Sequence, residues 1–222
     1  MNKQFFISTV FFIFLTAGYA QTAEQIINKH LEITGGVTKW KGFNSTVISG
    51  EMILGLNESY PVVIYQQRPN WSKTVMQIQS KNMILTGYNG KKAVQFNFRT
   101  NKLEENADYI PETFDSDLID YSGKGFQAVF IGTEKIENSD CYKIKLIKNT
   151  NTNTYYFDTK SYQLIREVNS LETKTYSDFR KSSGLTFPYR IEVKSSDGES
   201  DFALVFKTIE VNKVISAKEF VF

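Results

Sequence analysis

One histidine and one cysteine are all that this 222-residue chain offers to imidazole or thiolate chemistry. His30 falls beside Leu31 in a stretch of helical periodicity, so a Ser-His-Asp or Cys-His centre would have to be assembled around it from residues distant in sequence. Cys141 opens a strand-like run, Cys141-Tyr142-Lys143, where a thiol reads as a small buried hydrophobe rather than a reactive group. A single cysteine also excludes an intramolecular disulfide. Asp115, Asp117 and Asp120 suggest a calcium loop, but the glycine and closing glutamate of an EF-hand are missing, which favours a solvated acidic face or helix-start charges. No zinc-ligand spacing occurs, and spacing singles out no pair among the 24 acidic residues for glycoside cleavage. The expectation is a non-enzyme with no catalytic residue, no metal and no cofactor.

Charge narrows the partners further. The 26 Lys+Arg and 24 Asp+Glu nearly cancel, and no basic face of the kind nucleic acid requires is apparent. The first 20 residues have a short basic start at Lys3, an apolar stretch from Phe5 to Leu15, and Gly18-Tyr19-Ala20 at a cleavage site. They read as a signal peptide removed after Ala20, the apolar run being shorter than the roughly 20 residues of an uncleaved membrane anchor. Gln21, rather than Cys, follows, which argues against lipid attachment to a mature N-terminus. Residues 21–222 show no linker or composition shift and read as one soluble domain.

The elements that would position any site are mostly strands. A helix comes first: Thr22 and Gln25 fit a capping box, Ile26, Ile27 and Leu31 form an apolar stripe, and Gly35-Gly36 is a stop signal. Trp40 and Phe43 lead into about a dozen alternating runs, beginning with Ile48, Gly50, Met52 and Leu54. Runs over 60–67, 71–79, 82–88 and 91–98 follow, with Asn89-Gly90 as a two-residue hairpin turn. Residues 104–121 break the strand rhythm; Pro111, Phe114, Leu118 and Ile119 suggest a short helix or ordered lid. Runs over 126–136, 141–147, 154–157, 163–168, 173–179, 186–194 and 202–211 complete the chain. The predicted class is mainly β (α+β), a curved antiparallel half-barrel whose concave face is covered by helices.

Gln67-Arg68-Pro69-Asn70-Trp71 resembles the Lys-Arg-Pro-Asn-apolar segment of the LolA/LolB-like lipoprotein carrier superfamily. Tyr88-Asn89-Gly90-Lys91-Lys92 occupies the place of its Asp-Gly-Lys hairpin, and the ending Ala217-Lys218-Glu219-Phe220-Val221-Phe222 is similar to its Ala-Lys-Phe-x-Phe close with one residue inserted. The blocks at 141–143, 155–158, 176–179 and 184–188 look like those of outer-membrane lipoprotein-sorting-protein-like sequences of the Bacteroidetes type. The resemblance implies a half-barrel of about 11 strands in the periplasm, a monomeric chaperone that shields the acyl chains of a lipoprotein or other lipid between an inner-membrane donor and an outer-membrane acceptor. It places lipid binding, lipoprotein transport and outer-membrane biogenesis among the expected roles. The family's latch arginine falls on Arg68, whose guanidinium has five fixed donors able to hold lid carbonyls. An arginine before proline at a strand end can equally be a solvated edge residue. Gln67 departs from the family's lysine.

Within such a barrel the candidate cavity lining is Ile27 and Leu31 on the helix, then Ile48, Met52 and Leu54, Val62 and Ile64, and Met76 and Ile78 on successive strands. Val94 and Phe96 follow the hairpin, and Tyr142, Ile144, Leu146, Phe187 and Ile191 come from the second half. Acyl-chain binding needs apolar area more than chemistry, at ~25 cal/mol per Å² buried. The same residues could instead be a filled core, since alternation does not separate lining from packing. Two other classes compete. Phe222 resembles the terminal signal of an outer-membrane barrel, although Ser72-Lys73-Thr74 and Lys143-Ile144-Lys145 carry charge through mid-strand. A non-enzymatic accessory module could use the same fold to bind a protein partner or another hydrophobic ligand.

Overall fold

The computed structural model of the protein describes residues 21–55, 58–111, 113–198 and 201–222. The signal-peptide segment 1–20 lies outside the described residues. Helix α1 (Ala23–Ile33) starts where the capping box predicts. Gln25 N donates to Thr22 Oγ1 at 3.2 Å and Thr22 N donates to Gln25 Oε1 at 2.9 Å, satisfying two otherwise orphaned donors. Ile26, Ile27 and Leu31 are buried. At ~1.5–3 kcal/mol for each large apolar side chain, that stripe binds the helix to the sheet far more strongly than its intrinsic propensity could. Gly35 then takes φ +130°, and a Cβ there would lie 2.7 Å from Gly184 O, so only glycine lets the helix end approach the sheet this closely. A six-residue helix α2 (Val37–Gly42), which the apolar pattern is too short to reveal, carries Trp40.

Among the described residues the strands form one open antiparallel sheet. Strands β1 (Ser45–Leu54), β2 (Glu58–Gln67), β3 (Trp71–Ile78), β4 (Lys81–Tyr88), β5 (Ala93–Asn97) and β6 (Lys102–Glu105) make one meander. Strands β7 (Gln127–Ile136), β8 (Ser139–Lys148), β9 (Asn151–Asp158), β10 (Leu164–Val168), β11 (Glu172–Ser182), β12 (Leu185–Ser195) and β13 (Phe202–Val211) make the other. Pairing of β1 with β13 joins them, leaving β6 and β7 as edges. The register shifts at Ser49/Gly50, where a Cβ on Gly50 would stand 2.3 Å from Val205 O. The sheet therefore has 13 strands rather than about 11. The additional edge strand, Lys-Leu-Glu-Glu, is exposed throughout and its side-chain contacts to its neighbours are polar, as in Asn97 Nδ2 donating to Glu104, so no hydrophobic alternation marks it.

Two further expectations change. Residues 116–125 form successive turns instead of a helix, with Leu118 and Ile119 buried beneath them. The loop between β4 and β5 spans four residues, 89–92, because Asn89 Oδ1 accepts from both Lys91 N and Lys92 N and so builds a wider turn than a two-residue hairpin.

Register assigns the side chains to faces. Ile48 opposes Ile64 and Ile209, Val62 opposes Met76, Met52 opposes Leu204, Tyr176 opposes Ile191 and Ile144 opposes Tyr155, all on the face that α1 covers. The other face carries the Ile136–Cys141–Tyr156 cluster and, at the far end, the C-terminal tail. In that tail a 3-10 helix (Ala217–Phe220) sets the buried Phe220 against Trp71, with ring centroids 5.3 Å apart. Lys73 pairs with Glu219 at 2.7 Å, and the Phe222 ring occupies the space over Gly87. Residues 221–222 are not in a strand. Among the described residues no helix is long and apolar enough to cross a membrane.

Candidate functional site

Beside α1 the covered face opens into a cavity of about 850 Å³. That volume lies within the range of roughly 300–1,000 Å³ typical of small-molecule sites. Three elements wall it: α1 through His30, Leu31 and Thr34; α2 and its exit through Trp40 and Phe43; and residues 110–111 and 113–119. Its floor is the sheet from β9 to β12, including Tyr155, Leu164, Glu167, Tyr176 and Phe187.

The apolar wall is aromatic. Phe43 lies 4.6 Å from Phe114 and 6.4 Å from Phe187, and Trp40 lies 5.2 Å from Phe187, ring centroid to ring centroid. Phe114 comes from the segment over the cavity mouth, which therefore closes by ring packing as well as by polar contact.

Arg68 provides the polar contact. Placed just past the end of β2, it donates from Nη1 to Asp115 Oδ2 at 2.8 Å and from Nη2 to Asp115 Oδ1 at 2.6 Å. Nε donates to Phe43 O at 2.7 Å, and Nη2 reaches Trp40 O and Lys41 O, both at 3.3 Å. The guanidinium thus sits at the negative C-terminal end of α2, over the Phe114 ring at 4.7 Å, and grips the covering segment by a two-pronged carboxylate pair. The segment is held unequally along its length. Leu118 and Ile119 are locked in the core with α1, and Lys124 Nζ donates to Asp115 O at 3.2 Å and Ser116 O at 2.7 Å. Phe114 and Asp115 are held by Phe43 and Arg68, and Ile110 is 84% exposed. The acidic trio is accordingly divided: Asp115 belongs to the arginine, and no group of three or more metal-ligating side chains occurs among the described residues.

The opposite wall is polar. Tyr176 OH donates to Glu167 Oε2 at 2.9 Å, and Lys174 pairs with Glu172 at 2.6 Å. Asn149, Asn151, Asn153 and Asn169 ring this end. Burial pushes the Glu167 carboxyl above its ordinary pKa and the Tyr155 and Tyr176 hydroxyls above theirs. His30 is held down to about 4, also by burial; its Nδ1 donates to Tyr162 O at 2.9 Å, and its ring packs 5.1 Å from Phe157. Burial likewise raises the Cys141 thiol to about 11 on the far face, where Sγ donates to Ser139 O.

Of the sequence-predicted lining residues, Leu31 and Phe187 border this cavity. Ile27, Ile144 and Leu146 fill the core under α1, with Tyr142 packed at its edge. Ile48, Ile64 and Ile191 pack around Tyr189, Phe206 and Ile209. Met52, Leu54, Val62, Met76 and Ile78 lie further along the same face, Val62 and Met76 buried and the others half-buried. Val94 and Phe96 are on the opposite face, because Val94 opposes Gly87 and Gly87 opposes Lys73, beneath the C-terminal tail. Cavity residues outside the predicted lining include Trp40, Phe43, Phe114, Tyr155, Tyr176 and Glu167. Glu167 had a usable signal, since a charged residue sits at an inward position opposite Lys174.

The fold is shared with solved structures that include a LolA superfamily protein. The chain is similar to a LolA superfamily protein from Nitrosomonas europaea, with 13% identity over 91% of this chain and 98% of that one, at a TM-score of 0.57. A domain assigned as an outer membrane lipoprotein-sorting protein from Vibrio parahaemolyticus matches at 10% identity over 87% and 97%, also with a TM-score of 0.57. A DUF1329 family protein from Desulfovibrio piger matches at 10% identity over 91% and 98%, with a TM-score of 0.60. No protein-family model and no curated protein sequence matches the chain.

Proposed function

We propose that this protein is an exported, periplasmic, non-enzymatic carrier that takes up an acyl chain of a lipid or lipoprotein in a half-barrel cavity and shields it on the way to the outer membrane. The observation that carries the reading is the arginine-held cover: a cavity of about 850 Å³ with an aromatic wall, walled by a segment whose Phe114 and Asp115 are fixed by Phe43 and Arg68. The similarity to a lipoprotein-sorting domain supports the same reading.

The mechanism is reversible burial. An entering chain displaces Phe114 from Phe43 and buries methylenes at about 0.8 kcal/mol each, against the ion pair and ring contact it breaks. Because Arg68 stabilises only the closed state, removing it raises the population able to bind, and apparent affinity rises with that population. The test is native mass spectrometry with lipid extraction on protein purified from the periplasm, beside Arg68→Leu. The reading expects about one lipid or lipoprotein per chain, retained more strongly by the variant. A protein that is empty and refuses added triacylated peptide contradicts it.

A further inference from the structure

Gln21 holds a polar atom that the fold leaves unanswered. Its Oε1 is buried with no hydrogen-bond partner, while Nε2 of the same side chain lies 2.6 Å from Tyr162 Oη. That separation is short for N–H···O and ordinary for O–H···O. With the carboxamide turned over, Oε1 accepts from the Tyr162 hydroxyl and the amide nitrogen becomes the atom without a partner. In either orientation the side chain carries one polar group more than the site satisfies, which is destabilising where water is excluded. Tyr162 is a fixed point for this contact, its carbonyl oxygen 2.9 Å from His30 Nδ1 and its ring centroid 5.7 Å from that of Tyr142.

Gln21 also directly precedes Thr22, the N-cap of α1. In a chain cleaved after Ala20 its α-ammonium stands at the positive end of the helix macrodipole, where a cation is unfavourable. Thr22 N already donates to Gln25 Oε1 at 2.9 Å, so a reaction at Gln21 leaves the capping box whole. Resting on the export reading above, we propose that Gln21 is a modification site and that the mature chain begins with a pyroglutamyl ring docked on Tyr162. The lone pair of the uncharged α-amine attacks Cδ of its own carboxamide. The new N–Cδ bond forms as the Cδ–Nε2 bond breaks, and Nε2 leaves as ammonia with one proton from the α-amine, with no change of oxidation state and no further reactant. The lactam keeps the oxygen to which Tyr162 can donate, discards the surplus nitrogen and takes the positive charge away from the helix end. The helix that walls the cavity is then held at its start by an uncharged contact.

The experiment joins intact mass with thermal melting. Protein purified from the periplasm should have the mass of residues 21–222 less about 17 Da, and Edman degradation should release no residue until pyroglutamyl aminopeptidase has acted. The chain freshly released from a cleavable N-terminal tag should melt about 2–4 °C below the same chain after cyclisation. Tyr162→Phe keeps the mass loss but reduces the melting gain to about half or less, and Gln21→Ser shows neither mass loss nor gain. A periplasmic chain that starts at unmodified Gln21, or at a later residue, overturns the modification and leaves export standing. Equal melting of the open and cyclised forms, or an undiminished gain in Tyr162→Phe, overturns the docking of the ring. A chain that retains residues 1–20 overturns export and modification together.

Discussion

Arg68 and Asp115 meet through two parallel hydrogen bonds, at 2.8 and 2.6 Å, and that pair ties the end of β2 to the segment over the cavity mouth. Both side chains are about three-quarters shielded, with 26% and 22% of their surface exposed, so the pair is worth more than an open surface ion pair. Loss of either partner, in Arg68→Leu or Asp115→Asn, should speed amide exchange over 110–115 by about tenfold to a hundredfold, corresponding to the ~1.5–3 kcal/mol of a charge-assisted bond. Exchange at Leu118 and Ile119 should change little, since the core holds them. Hydrogen-exchange mass spectrometry separates the two peptides.

The C-terminal tail acts as a structural clamp on the far face. Phe220 is 3% exposed against Trp71, so Phe220→Ala should cost about 3 kcal/mol and shift the Trp71 emission to longer wavelength. Urea unfolding followed by tryptophan fluorescence measures both effects. The cavity lies on the opposite face, so lipid binding should survive in the folded fraction.

His30 makes stability fall in mild acid. Its pKa is about 4 when folded and about 6.5 otherwise, so the unfolded chain takes up the proton first. Stability is undiminished by this group above about pH 6.5 and declines as pH drops towards 4, by on the order of 2–3 kcal/mol in total. His30→Asn, which cannot titrate, should flatten that part of the profile in thermal melts taken between pH 7 and pH 4.

Gly50 marks the seam between the two meanders. A methyl group there would stand 2.3 Å from Val205 O and 2.8 Å from Phe206 Cα, both backbone atoms that cannot swing away. Gly50→Ala should therefore destabilise the fold by about 2 kcal/mol or more, read as a lowered urea midpoint.

The parts of this architecture visible in the sequence are those fixed by local chemistry. Thr22 and Gln25 announce α1 because a capping box is satisfied within four residues, and the apolar alternation of β8 and β12 follows from one face being buried. Helix α2 and strand β6 escape notice since six and four residues carry too little periodicity. Phe114, Leu118 and Ile119 mimic helical spacing, yet chained turns bury two of them equally well. Faces are harder still. Register shifts at Ser49/Gly50, Thr74/Val75, Phe130/Gly132 and Leu164/Arg166 interrupt the count by twos, and Val94 lies on the far face, opposite the Gly87 that the C-terminal Phe222 ring covers. Arg68 stands out by its motif, but its partner Asp115 depends on how residues 110–119 fold over the sheet.

The central claim is that acyl chains occupy the cavity behind Arg68, and photo-crosslinking tests it most directly. The mature chain would be incubated with a diazirine-bearing fatty acid or lipopeptide, irradiated, digested and sequenced by mass spectrometry. The account predicts adducts on Trp40, Phe43, Phe114 and Phe187, suppressed by unlabelled lipid and increased in Arg68→Leu. Adducts confined to Trp71, Val94 or the tail, or none at saturating ligand, would contradict it.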